Sequence, residues 1–198
     1  MNTKKKIIKF YDQTLSKYRP NDPAIVAWNS KESQELRFFI NSSIADLTQS
    51  SILDLGCGVG DFYGYLTQNV NFNEYHGIDI HPKMIKLAKK KHGDYYFSVS
   101  DIFDWNGSYD FVFASGPFNL KLENNEDYIQ RAIHKMGSLC KKGFAFNLLS
   151  NYDPKNILYE KLYYYNPLKI FDYCKKEFER VILRHDYMKH DFTIYVYI

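Results

Sequence analysis

The sequence predicts an α/β protein built on a largely parallel sheet, and three observations carry that reading. The stretch Ser51–Phe62, SILDLGCGVGDF, joins a short apolar run to Gly56, Gly58 and Gly60 and then to a helical pattern. Strand, glycine turn and helix, in that order, bring backbone N–H groups and a helix N-terminus against a ligand. Downstream, apolar runs of strand length alternate with stretches of helical periodicity, the pattern of parallel strands joined by right-handed crossovers. The length, 198 residues with 45% apolar and 25% charged content, is that of one globular domain.

Taken in order, residues 4–18 place Ile7, Ile8, Phe10, Tyr11 and Leu15 on an amphipathic helix, which Pro20 and Pro23 end. Ser30 is placed to cap a second helix, with Leu36, Phe39, Ile40, Ile44 and Leu47 on its apolar face. Strands are expected at 51–55, 75–80, 95–100, 109–115 and 144–149, and helices at 61–68, 82–92, 127–140 and 167–178. Two further strands, 180–184 and 192–198, follow a short connection apart. Residues 1–48 thus stand outside the alternating unit of 49–198. In such sheets ligands bind beyond the carboxyl ends of the strands, so the loops after Leu55, Ile80, Ser100, Ser115, Leu149 and Arg184 are the ones to search.

Composition narrows the function. A net charge of +3 is too small to argue for nucleic acid, and the runs Lys4–Lys6 and Lys89–Lys91 read as solvated faces. The basic N-terminus lacks the apolar run of a signal peptide, and nothing approaches the ~20 apolar residues of a membrane span. Cys57, Cys140 and Cys174 have neither metal-ligand nor disulfide spacing, so no metal is expected and a reducing cytoplasm is.

Two acidic residues sharpen the glycine signal. Asp79 ends the second strand about twenty positions after the glycines, and Asp101 follows the third. The set LDLGCGVG, GIDIHPKMIKLAKKK, VSDIFDW and YDFVFASGPFNL resembles the class I S-adenosylmethionine-dependent methyltransferases from Ser51 to about Ser150. The resemblance implies a Rossmann-like, seven-stranded, mostly parallel sheet whose antiparallel last strand lies next to the fifth, with an N-terminal helical lid formed by residues 1–48. It implies S-adenosylmethionine as cofactor and S-adenosylhomocysteine as product. Asp54 would face the amino end of the cofactor, and the backbone of Gly56, Cys57, Gly58 and Gly60 its sugar and methionyl portion. Asp79 would hold the ribose hydroxyls, and Asp101 with the Ile102 N–H the adenine edge. Ile80 and Met84 would sandwich the ring, with Ser115 and Arg37 completing the set. A dinucleotide-binding protein is the rival, but its third glycine falls where Asp61 stands, and a carboxylate there repels a pyrophosphate.

The acceptor is less legible. His185, in ILRHDYMKH, is the candidate base, with Arg184 and Tyr187 beside it. Tyr11, Trp28, Asn29, Lys31, Gln34, Asn119, Lys121 and Asn147 are further acceptor-side candidates, and Trp28–Phe38 is expected to close over the site with an exposed Arg37 near an anionic group. Nucleic-acid amino-methyltransferases place Asn/Asp-Pro-Pro-Tyr/Phe after the fourth strand, whereas this chain has Ser115-Gly116-Pro117-Phe118. The expected partner is therefore a small polar metabolite accepting at O or N, with no nucleic acid or membrane, and a monomer or homodimer is expected. The chain also looks like small bacterial methyltransferases, some associated with surface-polysaccharide modification, which ranks a sugar among the acceptors. A cofactor-binding protein that has lost its chemistry is the alternative from another class.

Overall fold

The computed structural model describes residues 3–18, 22–26, 30–152 and 159–198. Its seven strands are β1 (Ser51–Leu55), β2 (Glu74–Asp79), β3 (Phe97–Val99), β4 (Tyr109–Ser115), β5 (Cys140–Leu149), β6 (Arg180–Met188) and β7 (Asp191–Tyr197). They form one sheet in the order β3-β2-β1-β4-β5-β7-β6. β7 runs antiparallel to both of its neighbours, β5 and β6, and the pairs among β1 to β5 are parallel. The Rossmann-like arrangement with an antiparallel last strand beside the fifth is the one the resemblance implied.

Among the described residues, six α-helices accompany the sheet: α1 (Thr3–Lys17), α2 (Lys31–Ser42), α3 (Asp61–Asn69), α4 (Pro82–His92), α5 (Asn125–Leu139) and α6 (Pro167–Glu177). Successive strand residues point to opposite faces, and both faces here are covered. Leu53, Val112, Phe144 and Phe146 pack with Ile129, Ile133 and Ile170 of α5 and α6. Ile52, Phe111, Phe113 and Ala145 pack with Phe38, Phe62, Leu66 and Ile85 of α2, α3 and α4. Burial on both faces is why the central strands read as unbroken apolar runs. The helix starts are written locally: Ser30, Asn124 and Asn166 each accept a first-turn N–H, and Pro82 and Pro167 open α4 and α6.

Two departures from the sequence reading matter for the site. Phe39 is 56% exposed, and α2 instead buries Gln34, Arg37, Phe38 and Asn41. β6 continues to Met188, so the turn into β7 is Lys189–His190 and His185 lies within a strand. All three cysteines are buried and free. Among the described residues, no helix is long and apolar enough to cross a membrane, and no cluster of His, Cys, Asp or Glu is placed to hold a metal.

Candidate active site

The turn after β1 is shaped by its glycines. Gly56 and Gly58 have φ of 71° and 54°, in the left-handed region that favours glycine. A Cβ on Gly56 would stand 2.5 Å from the Pro117 Cβ, so a side chain there would force the β1 and β4 loops apart. The Gly56 and Cys57 N–H groups donate to the Ile78 carbonyl at 2.8 and 3.0 Å, which ties the turn to the end of β2. Asp79 is fixed in turn: one carboxylate oxygen accepts from the Gly58 N–H at 3.0 Å and the other from the His81 N–H at 2.8 Å. A carboxylate offers about four lone-pair positions, so each oxygen can still accept from a ligand.

Asp54, 2% exposed, accepts the Tyr75 hydroxyl at 2.7 Å. Burial raises its carboxyl to about 7, while the Tyr75 hydrogen bond works the other way. Asp101 uses one oxygen on the Phe103 N–H at 3.0 Å. The Ser115 hydroxyl is buried without a hydrogen-bond partner among the described residues. Asp54, Gly56, Gly58, Asp79, Asp101 and Ser115 all line one cavity.

That cavity continues over the ends of β4 and β5 to the β6–β7 turn. α1 covers it with Ile7, Phe10 and Tyr11, and α2 with Ser33, Gln34 and Arg37. Leu120, Leu149, Tyr159, Leu162 and Tyr164 add a mostly apolar wall, and His190 faces it from the turn. Behind the wall lies a buried polar network. Arg37, 3% exposed, donates from Nε to fully buried Asp191 at 2.8 Å and from Nη1 to the Ser33 carbonyl and hydroxyl. Its Nη2 stands 3.4 Å from His190 Nε2. The other Asp191 oxygen accepts the Tyr187 hydroxyl at 2.5 Å and the Asn147 amide at 3.3 Å, and Asn147 accepts from Asn41 at 3.4 Å. Burial pushes the Asp191 carboxyl up and the Arg37 charge pulls it back.

A methyltransferase-domain family model matches residues 52–143. A Mycobacterium tuberculosis protein named as a methyltransferase is 32% identical over 154 residues, covering 74% of this chain and 92% of that protein. The chain belongs to the class I S-adenosylmethionine-dependent methyltransferases. Solved structures agree on the fold. The complex of DhpI with S-adenosylhomocysteine superposes at a TM-score of 0.70, with 14% identity and coverage of 97% of this chain and 95% of that one. A S-adenosylmethionine-dependent methyltransferase from Clostridium acetobutylicum gives 0.67, with 15% identity over 100% and 99%.

The methyltransferase takes S-adenosylmethionine as its cofactor, and the residues present fit that group. The Ser115 hydroxyl lacks a partner among the described residues, the Asp79 oxygens each keep a free lone pair, one Asp101 oxygen is not used by the backbone, and the buried Asp54 suits a cation. Ile80, Met84, Ile102 and Cys57 supply apolar lining at the same end.

Several expected site residues of the methyltransferase lie elsewhere. His185 is placed on β6, outside the cavity lining, with Nε2 on the Lys189 carbonyl at 3.1 Å and its ring against Tyr152 and Phe192. The strand runs four residues further than the sequence reading allowed, which carries the turn, and the cavity position, to His190. Arg184 pairs outward with Asp186 at 2.8 Å, and Lys31 pairs with Glu35 at 3.4 Å on an exposed face. Lys121 is exposed. Asn147 and Tyr187 belong to the network behind the wall, and Gly60 backs onto His92 and Phe97. Arg37 lines the cavity but is buried and ion-paired, against the exposed residue expected. Trp28 and Asn29 lie outside the described residues. Sequence reasoning missed His190, although the polar Lys189–His190–Asp191 step between two alternating runs marks a two-residue turn.

Proposed function

We propose that the methyltransferase transfers a methyl group to an oxygen or nitrogen of a small acceptor that has a polar end and an apolar body. The observation that carries this is a single cavity joining the glycine turn and its three carboxylates to a wall of Leu120, Leu149, Leu162, Tyr159 and Tyr164. S-adenosylmethionine, when bound, supplies an electrophilic methyl on a cationic sulfur. Asp79 holds the ribose hydroxyls, Asp101 and the Ile102 N–H the adenine edge, and Asp54 the ammonium group. α1 and α2 exclude water and hold the acceptor in line, which is most of what a displacement at carbon asks of a protein. The apolar wall supports an acceptor less densely hydroxylated than a sugar. The Ser115-Gly116-Pro117-Phe118 segment supports a small molecule over a nucleobase. Incubation of the protein with methyl-labelled S-adenosylmethionine and a bacterial metabolite extract tests the reading. Label in a small-molecule product is expected; label confined to nucleic acid, or no transfer by protein that binds S-adenosylhomocysteine, overturns it.

A further inference from the structure

α1 borders a second hollow besides the cavity. Ile7, Phe10 and Tyr11 face the cavity, whereas Asp12, Leu15 and Ser16 line an open groove between α1 and α4. The groove has an apolar lining of buried Ile25 and Ile85, half-buried Leu15 and Leu87, and Val99, which is 52% exposed. Val99 belongs to β3, the end strand of the sheet, so no further strand covers that side. The charged lining is cationic in balance, with Lys83, Lys86, Lys89 and Lys90 against Asp12 and Asp94. Lys83 is engaged by Asp12 at 2.6 Å, and the neighbouring Lys91 by Asp61 at 2.6 Å. Lys86, Lys89 and Lys90 have no ion-pair partner among the described residues.

Size, shape and charge select the occupant. The groove encloses about 1100 Å³, far more than a phosphate or a metal ion fills and at the upper limit of small-molecule pockets, roughly 300–1,000 Å³. A flat bilayer does not reach a recessed apolar lining, and the phosphate backbone of a nucleic acid gains nothing from one. A helix laid between two helices uses both features, with its apolar stripe in the groove and its flanks on the rim. Lys86 and Lys90 stand one turn apart on the same face of α4, so carboxylates at the same four-residue spacing match them.

The groove also reaches the cofactor end of the cavity. Leu15 of α1 and Leu87 of α4 pack against the buried cluster of Ile25, Val59 and Met84. Met84 lines the cavity as well. An occupant that packs on Leu15 and Leu87 therefore adds apolar contact to the seam that holds α1 over the cavity.

We infer that the α1–α4 groove is a docking surface for an acidic amphipathic helix of a partner protein, and that its occupant tightens the hold on the cofactor. Coupling of this kind is reciprocal, so bound cofactor tightens the partner by the same factor.

The probe is a fluorescein-labelled helical peptide of about 15 residues, with leucines on one face and glutamates beside them. In fluorescence anisotropy it is expected to bind the whole protein with a Kd of about 10–100 μM, weakening with added salt. The same peptide with lysines for glutamates, or with serines for leucines, binds at least about tenfold more weakly. Lys86→Glu combined with Lys90→Glu lowers affinity for the glutamate peptide by at least about tenfold. Both positions are exposed and remote from the cavity, so that variant keeps its thermal unfolding midpoint and binds S-adenosylhomocysteine within about twofold of wild type. Saturating peptide raises wild-type affinity for S-adenosylhomocysteine about threefold, and the reverse experiment gives the same factor. No binding at about 1 mM peptide, equal binding of the lysine peptide, or an unimpaired double variant overturns the docking surface. So does tighter binding of phosphatidylglycerol vesicles or duplex DNA that the double variant abolishes, since the lysines then serve that partner. Peptide binding that leaves S-adenosylhomocysteine affinity unchanged overturns the coupling.

Discussion

The two halves of the cavity are built in different ways. At the glycine-turn end, the polar groups come from strand ends and loops between residues 54 and 115, and backbone amides fix the carboxylates, as Gly58 and His81 fix Asp79. At the acceptor end, the groups come from α1, α2, the 159–164 loop and the β6–β7 turn. They are held by side-chain contacts as remote as Arg37 with Asp191, 154 positions apart. The first half is a property of local motifs and the second of the closed tertiary structure. Damage to the first should therefore appear as lost cofactor binding, and damage to the second as lost stability.

The sharpest break in that comparison is Arg37→Ala. An exposed arginine would contribute little, but this one is buried, and its loss leaves the Asp191 carboxylate without its cation. Stability in urea is expected to fall by about 3–5 kcal/mol. A variant within about 1 kcal/mol of wild type, in the range of an exposed pair, would show that the network does not hold α2 to β7.

Asp79→Ala tests the other half. Two charge-assisted hydrogen bonds to a ribose vanish, so calorimetric affinity for S-adenosylhomocysteine should drop roughly a hundredfold. The accompanying loss of stability should be smaller than for Arg37→Ala. Undiminished binding would remove Asp79 from the cofactor site.

The same division explains what the sequence disclosed. The glycine turn, the strand-end acids and the alternating pattern are short-range features, and the parallel sheet followed from them, whereas the antiparallel last strand beside the fifth came from the family resemblance those motifs carry. The acceptor half misled in two places. On α2, Phe39 was read as core, whereas Gln34, Arg37 and Asn41 are buried. Polar residues do not advertise burial when their partners, here Asp61, Asp191 and Asn147, lie far along the chain. On β6, the charged side chains of RHDYMKH hid the continuation of an edge strand, whose polar positions face solvent. That misreading put the expected cavity-facing histidine at His185, whereas the histidine that lines the cavity is His190.

A tenfold effect is expected from pH. The Asp54 carboxyl, raised to about 7 by burial, is mostly protonated in the free folded protein at pH 6 and mostly ionised at pH 8. An ammonium ligand wants the ionised form, so affinity for S-adenosylhomocysteine should rise about tenfold from pH 6 to pH 8. The stability of the free protein runs the opposite way. An unfolded aspartate titrates near about 3.9, so this group's contribution is complete below that value and is lost as pH rises through 7. Asp54→Asn should flatten both trends; a variant that keeps the wild-type slope would assign the titration to another group.

The smallest effect separates the two covering helices. α2 is pinned through the buried Arg37–Asp191 pair. α1 buries only Ile7 fully, and rests on the short helical turn Pro23–Val26 through the Thr14 hydroxyl on the Ile25 carbonyl at 2.6 Å. Tyr11 and Leu15 pack only partly buried against Ile25, Val59 and Met84, and its polar ties include the exposed pairs Asp12 with Lys83 at 2.6 Å and Gln13 with Lys161 at 3.3 Å. Exposed pairs hold weakly, and segments with few buried contacts open first. Amide exchange over residues 3–17 should therefore be faster than over residues 31–42, and S-adenosylhomocysteine should slow the first segment more than the second. Lys83→Ala loosens α1 without touching the carboxylates, so it should raise the ligand's dissociation rate only about two- to threefold. Equal protection of the two helices in the free protein would make α1 as fixed a part of the wall as α2, and would leave the cavity no moving cover on that side.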